Sequence, residues 1–414
     1  MMKPMSQKTR WLLAAAAYFG CVLYFLFQGG KTALMLLVIL SLLLIYLLLG
    51  RWSGIARVNG SRVISGGTNL KQGALSAGTT MEVKLYIRIP GFYPVPYVIV
   101  RDQLQRENGK LLQFETSYVP NWKRAGNVSY QTPPLQRGEY RFQRTECVSY
   151  DVFGLFEHEG SFVAEQTFSI QPQIVALKAW VGFRQGVKGP YSQASASRSA
   201  KETTQINGVR EYHYGDRLSR IHWNATAKTG QWKSKAFERE SLPRTLVILD
   251  RRLSSYAGQS EERFELAVSI AASFMEHGLK DDTAMGLVSV GESMTILPPK
   301  SGMEQRSLSM KHLTSVDADS PVALYASLLR ADSVIEPGSF AVVISGEGGS
   351  GIVQAMEWLS RKGIQPCLIH VGSGTDRISG NVAWQHLLRT RGLTVHTVRH
   401  LQELPTLLEG SGIA

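Results

Sequence analysis

Two uncharged apolar runs near the N-terminus constrain this chain more than any other feature of its sequence. Residues 11–27 and 33–49 are each 17 residues long and contain no Asp, Glu, Lys or Arg. A helix of about 20 apolar residues crosses a hydrocarbon core of ~30 Å, and slightly shorter runs cross it when flanking side chains reach the interface. A cleaved secretory signal would be followed by a small-residue cleavage site, whereas here a second apolar run follows. The sequence therefore predicts a two-helix transmembrane anchor in residues 1–50.

The charges around the two runs predict how the anchor is oriented. Lys31 is the single cation between the runs, and six cations flank them: Lys3, Lys8 and Arg10 before the first run, and Arg51, Arg57 and Arg62 after the second. Because segments rich in Lys and Arg remain on the cytoplasmic side of a membrane, we expect both termini and residues 51–414 to lie in the cytoplasm. The runs hold no charged residue that would mark a path for ions or protons, so we interpret them as an anchor.

Composition excludes several classes of protein. Apolar residues make up 44% of the chain and charged residues 19%, which excludes general disorder. The net charge is +12, but residues 245–414 carry 14 basic and 18 acidic side chains, so the positive excess lies in the first 244 residues. We therefore expect no nucleic-acid partner. The three cysteines, Cys21, Cys147 and Cys367, form no CxxC pair, and they predict neither a disulfide framework nor a zinc cluster.

Residues 51–183 are predicted to form a β-sandwich-like module. In residues 79–90 apolar and polar side chains alternate with a period of two, which is typical of a half-buried strand. Four further runs favour strands: 95–101, 111–119, 138–148 and 161–170. Several short strands without helical runs between them indicate a small antiparallel sandwich. Residues 184–205, which are rich in Gly, Ser, Ala and Lys, are predicted to be a linker, and residues 184–243 are assigned to this linker and the charged motif that follows.

Residues 208–240 contain the densest mixture of Arg, Lys, His and aromatic residues in the chain. Three interpretations compete. In a nucleic-acid site, the aromatic side chains between 212 and 232 would stack on bases while the cations bind phosphates. In a hydrolytic site, His213 or His222 would act as the base and Asp216 would orient it.

The third interpretation of this motif is structural, and the residues favour it because there is no nucleophile with a defined partner. Asp216 would then form ion pairs with Arg210 and Arg220 around a tight turn. Four apolar side chains of the motif would pack inward: Ile221, Trp223, Trp232 and Phe237.

Residues 244–414 are predicted to form a doubly wound α/β domain. Residues 244–250 are a continuous apolar run, as expected of a strand buried on both faces. Strands are also predicted at 283–290, 293–297, 339–345, 365–371 and 393–399, and helices at 261–277, 302–313, 321–331, 350–362, 381–391 and up to 409. This alternation indicates an open, mostly parallel sheet. Ligands of such sheets lie beyond the carboxyl ends of the strands, which places Asp250 and the loops 346–351 and 372–376 on one edge.

An ordered series of short motifs runs through residues 208–240. It comprises Arg-Glu-Tyr at 210–212, Gly-Asp at 215–216, Arg-Ile-His-Trp at 220–223, Lys-Thr-Gly at 228–230 and Phe-Glu at 237–238. This series resembles the signature segment of the domain of unknown function 58 family, as do Arg-Gly-Glu-Tyr at 137–140 and Asp-Val-Phe-Gly-Leu-Phe at 151–156. The chain departs from that family's usual pattern at three positions: Val152 for Pro, Ser219 for a second Arg, and Arg217 for Pro.

The resemblance implies an architecture and a setting. Members of that family are bacterial membrane-anchored proteins in which a β-region precedes a von Willebrand factor type A-like domain. They are often encoded beside MoxR-type AAA+ ATPases and transglutaminase-like proteins, which makes these two the expected protein partners. The resemblance establishes no reaction. The residues that it marks as a partner-binding or structural motif are Arg210, Tyr212, Gly215, Asp216, Arg220 and Trp223.

A von Willebrand type A-like domain would bind Mg²⁺ through an Asp-x-Ser-x-Ser sequence after its first strand. Here Asp250 and Ser254 remain, but Arg252 replaces the middle Ser. The loop after strand 339–345 lacks the usual Asp, and Glu347 is a displaced substitute. A guanidinium group in this site would itself occupy the place of the cation. We therefore predict a degenerate site with no metal and no cofactor, and Mg²⁺ binding is the disfavoured alternative.

Two classes of function remain open from the sequence. The favoured one is a non-enzymatic, membrane-anchored adaptor or scaffold that docks protein partners, above all a MoxR-type AAA+ ATPase, on the cytosolic side of a bacterial plasma membrane. The alternative is a metal-dependent hydrolytic enzyme that uses the cluster at 210–223. The motif contains neither a complete nucleophile–base pair nor a full set of metal ligands, and this favours the adaptor.

Overall fold

The computed structural model describes residues 7–50, 52–66, 75–107, 109–177, 201–214, 218–240, 244–256, 260–332, 335–372 and 383–409. The chain separates into two compact units, Met1–Gln171 and Pro172–Ala414. The predicted division into residues 1–50, 51–183, 184–243 and 244–414 is finer than this and stays a prediction.

The first unit begins with two long apolar helices, α1 (Gln7–Gln28) and α2 (Gly30–Gly50). At 1.5 Å per residue each helix is about 30 Å long. The chain reverses between them at Gly29 and Gly30, whose φ angles of 60° and 89° are accessible to glycine without a steric penalty. Both helices are long and apolar enough to cross a membrane. The prediction of two apolar helices at the N-terminus is therefore confirmed.

The rest of the first unit consists of two packed β-sheets. Its strands are β1 (Asn59–Gly66), β2 (Leu75–Ser76), β3 (Met81–Arg88), β4 (Val98–Arg106), β5 (Leu111–Tyr118), β6 (Ala125–Gln131), β7 (Gly138–Tyr150) and β8 (Glu157–Gln171). One sheet has the order β1-β3-β6 and the other β2-β8-β7-β4-β5. Alternate residues of β3 and apolar residues of β4 and β7 share one core, as in a sandwich. The five predicted strands are present, whereas the two-residue β2 and the strands β1 and β6, which are rich in Gly, Ser and Asn, were not predicted.

A buried ion pair joins the two sheets. Arg62 on β1 and Asp102 on β4 have side chains that are only 1% exposed, and Nη2 of Arg62 lies 2.6 Å from Oδ1 of Asp102. The carboxylate also accepts hydrogen bonds from Thr145 Oγ1 (2.9 Å) and Tyr130 Oη (2.5 Å). The guanidinium group stacks 4.0 Å from the ring centroid of Phe142. Arg62 was counted above among the cations that flank the anchor, but its charge is neutralised inside the sandwich and does not face lipid.

The second unit begins with a two-stranded hairpin. Its strands β9 (Lys201–Glu211) and β10 (Lys233–Glu240) are antiparallel, and the short helix α3 (Trp223–Thr229) lies in their connection. The linker predicted at 184–205 is therefore wrong for residues 201–205, because β10 offers these polar residues a strand partner that their own sequence does not reveal. Residues 184–200 lie outside the described part of the chain.

A six-stranded sheet forms the centre of the second unit. Its strands are β11 (Arg244–Asp250), β12 (Ala284–Val290), β13 (Thr295–Lys300), β14 (Phe340–Ser345), β15 (Gln365–Val371) and β16 (Thr394–Val398). Their order is β13-β12-β11-β14-β15-β16, with β13 antiparallel to β12 and the others parallel. The predicted open, mostly parallel sheet is confirmed, and each predicted strand ends within three residues of the observed one.

Helices cover both faces of this sheet. They are α4 (Ser260–Lys280), α5 (Met303–Ser315), α6 (Leu324–Arg330), α7 (Ser350–Arg361), α8 (Ala383–Thr390) and α9 (Leu404–Glu409). Val247 and Leu249 of β11 pack with α4, α5 and α9, whereas Leu246 and Ile248 pack with α6, α7 and α8. Because β11 is buried on both faces, its central residues 246–249 are all apolar instead of alternating with polar residues.

Candidate functional site

The order of the strands creates a switch point between β11 and β14. From β11 the chain builds outward through β12 and β13, and it then returns to add β14, β15 and β16 on the other side. In open α/β sheets, ligands bind beyond the carboxyl ends of the strands at such a point. Strand β11 ends at Asp250 and β14 ends at Ser345, so these two residues flank the crevice.

The Asp250 carboxylate is fully buried, and both of its oxygens have donors. Oδ2 accepts a hydrogen bond from Ser345 Oγ (2.6 Å), and Oδ1 accepts one from the backbone N–H of Arg252 (3.0 Å). Burial raises the pKa of the Asp250 carboxyl from 3.8 to about 6, and the hydrogen bonds from Ser345 and Arg252 oppose this shift. Asp250 is thus held in place by the loops that follow the two central strands.

An ion pair bridges those two loops. Arg252 follows β11, Glu347 follows β14, and Nη1 of Arg252 lies 2.9 Å from Oε1 of Glu347. The Arg252 side chain is 29% exposed and that of Glu347 is 14% exposed. The backbone N–H of Glu347 donates to Ser345 Oγ (2.9 Å), which links the pair to the buried Asp250 carboxylate. The guanidinium group therefore neutralises a carboxylate at the switch point.

Arg251 points into a different part of the domain. Its side chain is 7% exposed, forms an ion pair with Asp319, and donates from Nε to the carbonyl of Asp317 (2.9 Å). Ser254, the predicted remnant of a metal site, is exposed, whereas Ser255 is buried. Both serines lie in the 3₁₀ turn Leu253–Tyr256, and the role of Ser254 as a remnant of a metal site stays a prediction.

Both carboxylates at the switch point are engaged with other groups of the protein. A magnesium site needs several free oxygen ligands, but both Asp250 oxygens accept hydrogen bonds and Glu347 is paired with Arg252. Within the described ranges, no group of three or more His, Cys, Asp or Glu side chains is arranged to hold a metal ion. The edge is therefore a network of charged and polar groups, in which Oε2 of Glu347 and Nε of Arg252 are buried without a hydrogen-bond partner among the described residues.

Arg263 in the first turn of α4 also belongs to this edge. Its Nη2 donates to the carbonyls of Val371 (2.6 Å) and Gly346 (3.2 Å), and so ties together the loops that follow β14 and β15. Sequence reasoning missed it, although a cation in the first turn of a helix opposes the helix dipole and could have marked a special role. Residues 373–376 of the second predicted loop lie outside the described residues.

In the hairpin, the connection between β9 and β10 is held by two residues of the predicted motif. Ile221 is buried and bridges to Ser234. The His222 ring accepts a hydrogen bond at Nδ1 from the backbone N–H of Ala225 (3.1 Å), and the backbone N–H of His222 donates to the carbonyl of Lys233 (2.8 Å). His222 therefore caps the N-terminus of α3, which is a structural task.

Two tryptophans of the motif face solvent. Trp223 is 65% exposed and Trp232 is 53% exposed, and their ring centroids are 6.3 Å apart. The Tyr212 ring lies 5.5 Å from that of Trp232. The prediction that Trp223 and Trp232 pack inward is wrong, because α3 is only seven residues long and the hairpin has two strands, so these elements bury Ile221 but have no interior for further large rings.

The structure describes some of the remaining residues of the motif and leaves others out. Arg210 is exposed; its Nη1 donates to the carbonyl of Glu211 (3.1 Å) and lies 3.1 Å from Nδ1 of His213. Arg220 is half-buried in a short 3₁₀ turn. Gly215 and Asp216 lie outside the described residues, so the predicted ion pairs of Asp216 stay a prediction.

Comparison with known sequences points to the same segment. A family described as "Protein of unknown function DUF58" matches residues 208–363, which run from the hairpin to the end of α7. The "Uncharacterized protein YeaD" of Bacillus subtilis (strain 168) is 27% identical over 362 residues, which are 81% of this chain and 85% of that protein.

Two solved structures show distant likenesses. Proximal thread matrix protein 1 from the mussel byssus is 12% identical, with a TM-score of 0.31; the match covers 41% of this chain and 46% of that protein. The CARDB domain of the PF1109 protein from Pyrococcus furiosus, in complex with di-metal ions, is 21% identical, with a TM-score of 0.18 over 27% of this chain and 93% of that domain. The chain thus spans less than half the length of the mussel protein.

Proposed function

We propose that this chain is a membrane-anchored adaptor of the DUF58 family, without catalytic activity of its own, that docks a protein partner on the cytoplasmic side of a bacterial plasma membrane. The match over residues 208–363 and the relative in Bacillus subtilis support the family. Helices α1 and α2 are the anchor, and the flanking cations favour cytoplasmic termini.

We also propose that residues 244–414 are a von Willebrand factor type A-like domain adapted to protein contact. The sheet order with an antiparallel edge strand β13 supports this, as does an Asp at the end of the first strand. In such a domain an ion would link the switch point to a carboxylate of the partner. Here the Arg252–Glu347 pair takes the place of that ion, so the edge can serve as a protein surface without a metal.

The pair of exposed tryptophans is the observation that carries the docking proposal. Trp223 and Trp232 present two large rings side by side, and both are anchored on a hydrogen-bonded hairpin. Residues that dominate binding energy at protein interfaces are enriched in Trp, Tyr and Arg. Apolar surface of this kind marks interaction sites on proteins, because leaving it in water costs free energy.

The chemistry around the tryptophans indicates a partner with an acidic face. Arg210 on β9 and Lys228 on α3 are exposed, and Lys233 is paired with Glu211 at 3.3 Å. We propose a MoxR-type AAA+ ATPase as the partner, following the resemblance of the motif, and a transglutaminase-like protein as a second component of the same assembly.

Binding of a purified MoxR-type ATPase from the same bacterium to the full chain in lipid nanodiscs tests the proposal. We expect saturable binding that weakens at least tenfold in Trp223→Ala and in Trp232→Ala, since truncating one interface hot spot costs about 2 kcal/mol or more. Tyr86→Ala is the matched control, because Tyr86 is an aromatic residue of the first unit whose exposed fraction of 47% is close to the 53% of Trp232. Equal binding by all three variants, or hydrolytic activity that depends on His213 or His222, would contradict the proposal.

A further inference from the structure

The end of the sandwich where the chain leaves α2 is formed by four segments. Residues 52–58 lead from α2 into β1, residues 89–97 join β3 to β4, residues 119–124 join β5 to β6, and residues 151–156 join β7 to β8. The strand pairings Asn59–Arg88, Arg88–Ala125, Val98–Tyr118 and Ile99–Val148 place these segments at one end. We call them the anchor-side loops.

Exposed apolar side chains concentrate in the anchor-side loops. Among the described residues of the sandwich, seven large apolar side chains are more than 60% exposed: Trp52, Phe92, Val119, Trp122, Val152, Phe153 and Val163. Six of them lie in the anchor-side loops, and Val163 lies within β8. Single exposed apolar residues are ordinary, but a set gathered at one end of a module is not expected of a surface that faces water.

Two contacts between aromatic rings join these loops to the helices. Trp11 of α1 stacks on Phe156 with ring centroids 4.1 Å apart, and Tyr46 of α2 meets Phe153 edge-on at 6.1 Å. Trp11 and Tyr46 are each four residues from the end of their helix, which is about 6 Å along its axis. Trp and Tyr at such positions mark the boundary between hydrocarbon and headgroups. The loop 151–156 therefore lies at the depth of that boundary.

The loop 151–156 is held so that Val152 and Phe153 are exposed while Phe156 is buried. The buried Asp151 carboxylate accepts hydrogen bonds from the backbone N–H groups of Phe153 (2.7 Å) and Phe156 (2.6 Å). The negative charge of Asp151 is thus stabilised by hydrogen bonds within the loop, while Val152 and Phe153 remain 67% and 61% exposed. Because these hydrogen bonds fix the backbone of the loop, its exposed apolar side chains do not need to pack against the loop to keep it ordered.

The charges of the anchor-side loops match a phospholipid surface. Their acidic residue is Asp151, which is 6% exposed, whereas Arg57 and Lys123 are exposed. Arg124 donates to the carbonyl of Ser53, which fixes one loop against another. Cations beside apolar tips are attracted to the negative surface of a bilayer, and the tips gain free energy on leaving water.

We propose that the anchor-side loops insert their apolar tips into the phospholipid interface at the end of the helical hairpin, and so fix the sandwich against the bilayer. The proposal rests on the membrane anchoring proposed above, and it adds a second contact with lipid that the helices alone do not require. A sandwich seated in this way cannot swing freely about residues 52–58.

Fluorescence quenching by lipid tests the proposal with the full chain in vesicles of phosphatidylcholine and phosphatidylglycerol. An environment-sensitive fluorophore is attached to Val152→Cys, Trp122→Cys or Val163→Cys, and spin-labelled lipids act as quenchers. The native Cys21, Cys147 and Cys367 are buried, and the unsubstituted chain, treated in parallel, gives the background. Val163→Cys is the matched control, because this valine is 64% exposed, close to the 67% of Val152, but lies well along β8.

We expect loss of emission at positions 152 and 122, a blue-shifted spectrum relative to position 163, and no quenching at position 163. A fourth label at Leu36→Cys, six residues after the start of α2 at Gly30, reports on the anchor itself. If position 36 is quenched but 152 or 122 behaves like 163, the proposal is overturned while the anchoring stands. If position 36 is not quenched, the anchoring fails, and this inference fails with it.

Discussion

Arg252 and Glu347, which are 95 positions apart, form an ion pair of 2.9 Å across the switch point of the α/β sheet. Each follows a strand, β11 or β14, and these strands are neighbours in the sheet. Without the guanidinium group, Glu347 and the buried Asp250 would be two carboxylates at one edge, and the charge of Glu347 already contributes to the raised pKa of Asp250. The guanidinium group of Arg252 therefore offsets the charge of Glu347 at this edge.

Calorimetric titration of the full chain in detergent with Mn²⁺ or Mg²⁺ should give no binding heat. Two unit charges about 4 Å apart repel by about 4 kcal/mol at an effective dielectric of about 20, so the Arg252 guanidinium opposes an incoming cation. In Arg252→Ser this repulsion is removed and Glu347 is released, and we expect measurable affinity for Mn²⁺.

Arg244→Ser is the matched control for that titration. Arg244 begins the same strand that ends at Asp250 and is paired with Glu336 at 2.6 Å, so the variant removes an equal charge at the opposite end of β11. It should stay without binding heat. Micromolar affinity in the unsubstituted chain that is lost in Asp250→Ala would show that the edge is a working metal site.

The raised pKa of Asp250 predicts a pH-dependent stability. Between pH 3.8 and about 6 the folded chain binds a proton at Asp250 that the unfolded chain has released, so this contribution to stability is present at low pH and is lost as the pH rises through that window. Its size is about 3 kcal/mol at most. In Asp250→Asn this component should be absent. Thermal unfolding midpoints of both proteins between pH 4 and 7 measure it, and parallel curves would contradict the assignment.

Part of the switch-point site could be predicted from the sequence. The apolar run of β11 located Asp250, and the alternation of strands and helices placed it on the same edge as the loop that contains Glu347. The carboxylate with which each arginine pairs could not be predicted, because Arg251 and Arg252 are adjacent in the sequence. Only the fold brings Asp319 close to Arg251 and Glu347 close to Arg252. The choice between Ser254 and Ser255 depends on a 3₁₀ turn that leaves no clear signal in the sequence.

Asp102→Ala should destabilise the sandwich by about 3–5 kcal/mol, because it leaves the Arg62 charge buried without a partner. Glu115→Ala is the control: Glu115 pairs with Arg101 on the same sheet at 2.9 Å, but both side chains are exposed, and its loss should cost about 1 kcal/mol or less. Hydrogen exchange of the β4 amides in the full chain measures both effects. Similar protection in the two variants would show that the buried pair contributes little.

In the sandwich, the strands that have an alternating or strand-favouring sequence could be predicted, and the strands that lack these patterns could not. Alternation in β3 predicts a half-buried strand because one face meets the core and the other meets solvent. The sequences of β1 and β6 carry few apolar residues, so these strands were missed, and they form because β3 offers them an edge on each side. The ion pair between Arg62 and Asp102 joins residues 40 positions apart, and no local pattern indicates it.

The proposed orientation predicts the behaviour of reporter fusions. An enzyme that is active only outside the cytoplasm should be inactive when it is fused after Ala414. The chain crosses the membrane once with each helix, so the segment after the second helix returns to the cytoplasm. The same enzyme fused after Gln28, at the end of α1, should be active. Activity after Ala414 together with inactivity after Gln28 would reverse the orientation and remove the cytoplasmic partner from the account.

The docking of a partner on the hairpin is the central claim, and cross-linking in the living cell tests it most directly. A photo-reactive amino acid at position 223 should form adducts with a MoxR-type AAA+ ATPase, identified by mass spectrometry. The same group at position 163, on the exposed face of β8, should not. An adduct with the ATPase at 223 that disappears in Trp232→Ala is the predicted result. Adducts with the ATPase at 163 but none at 223 would contradict the account.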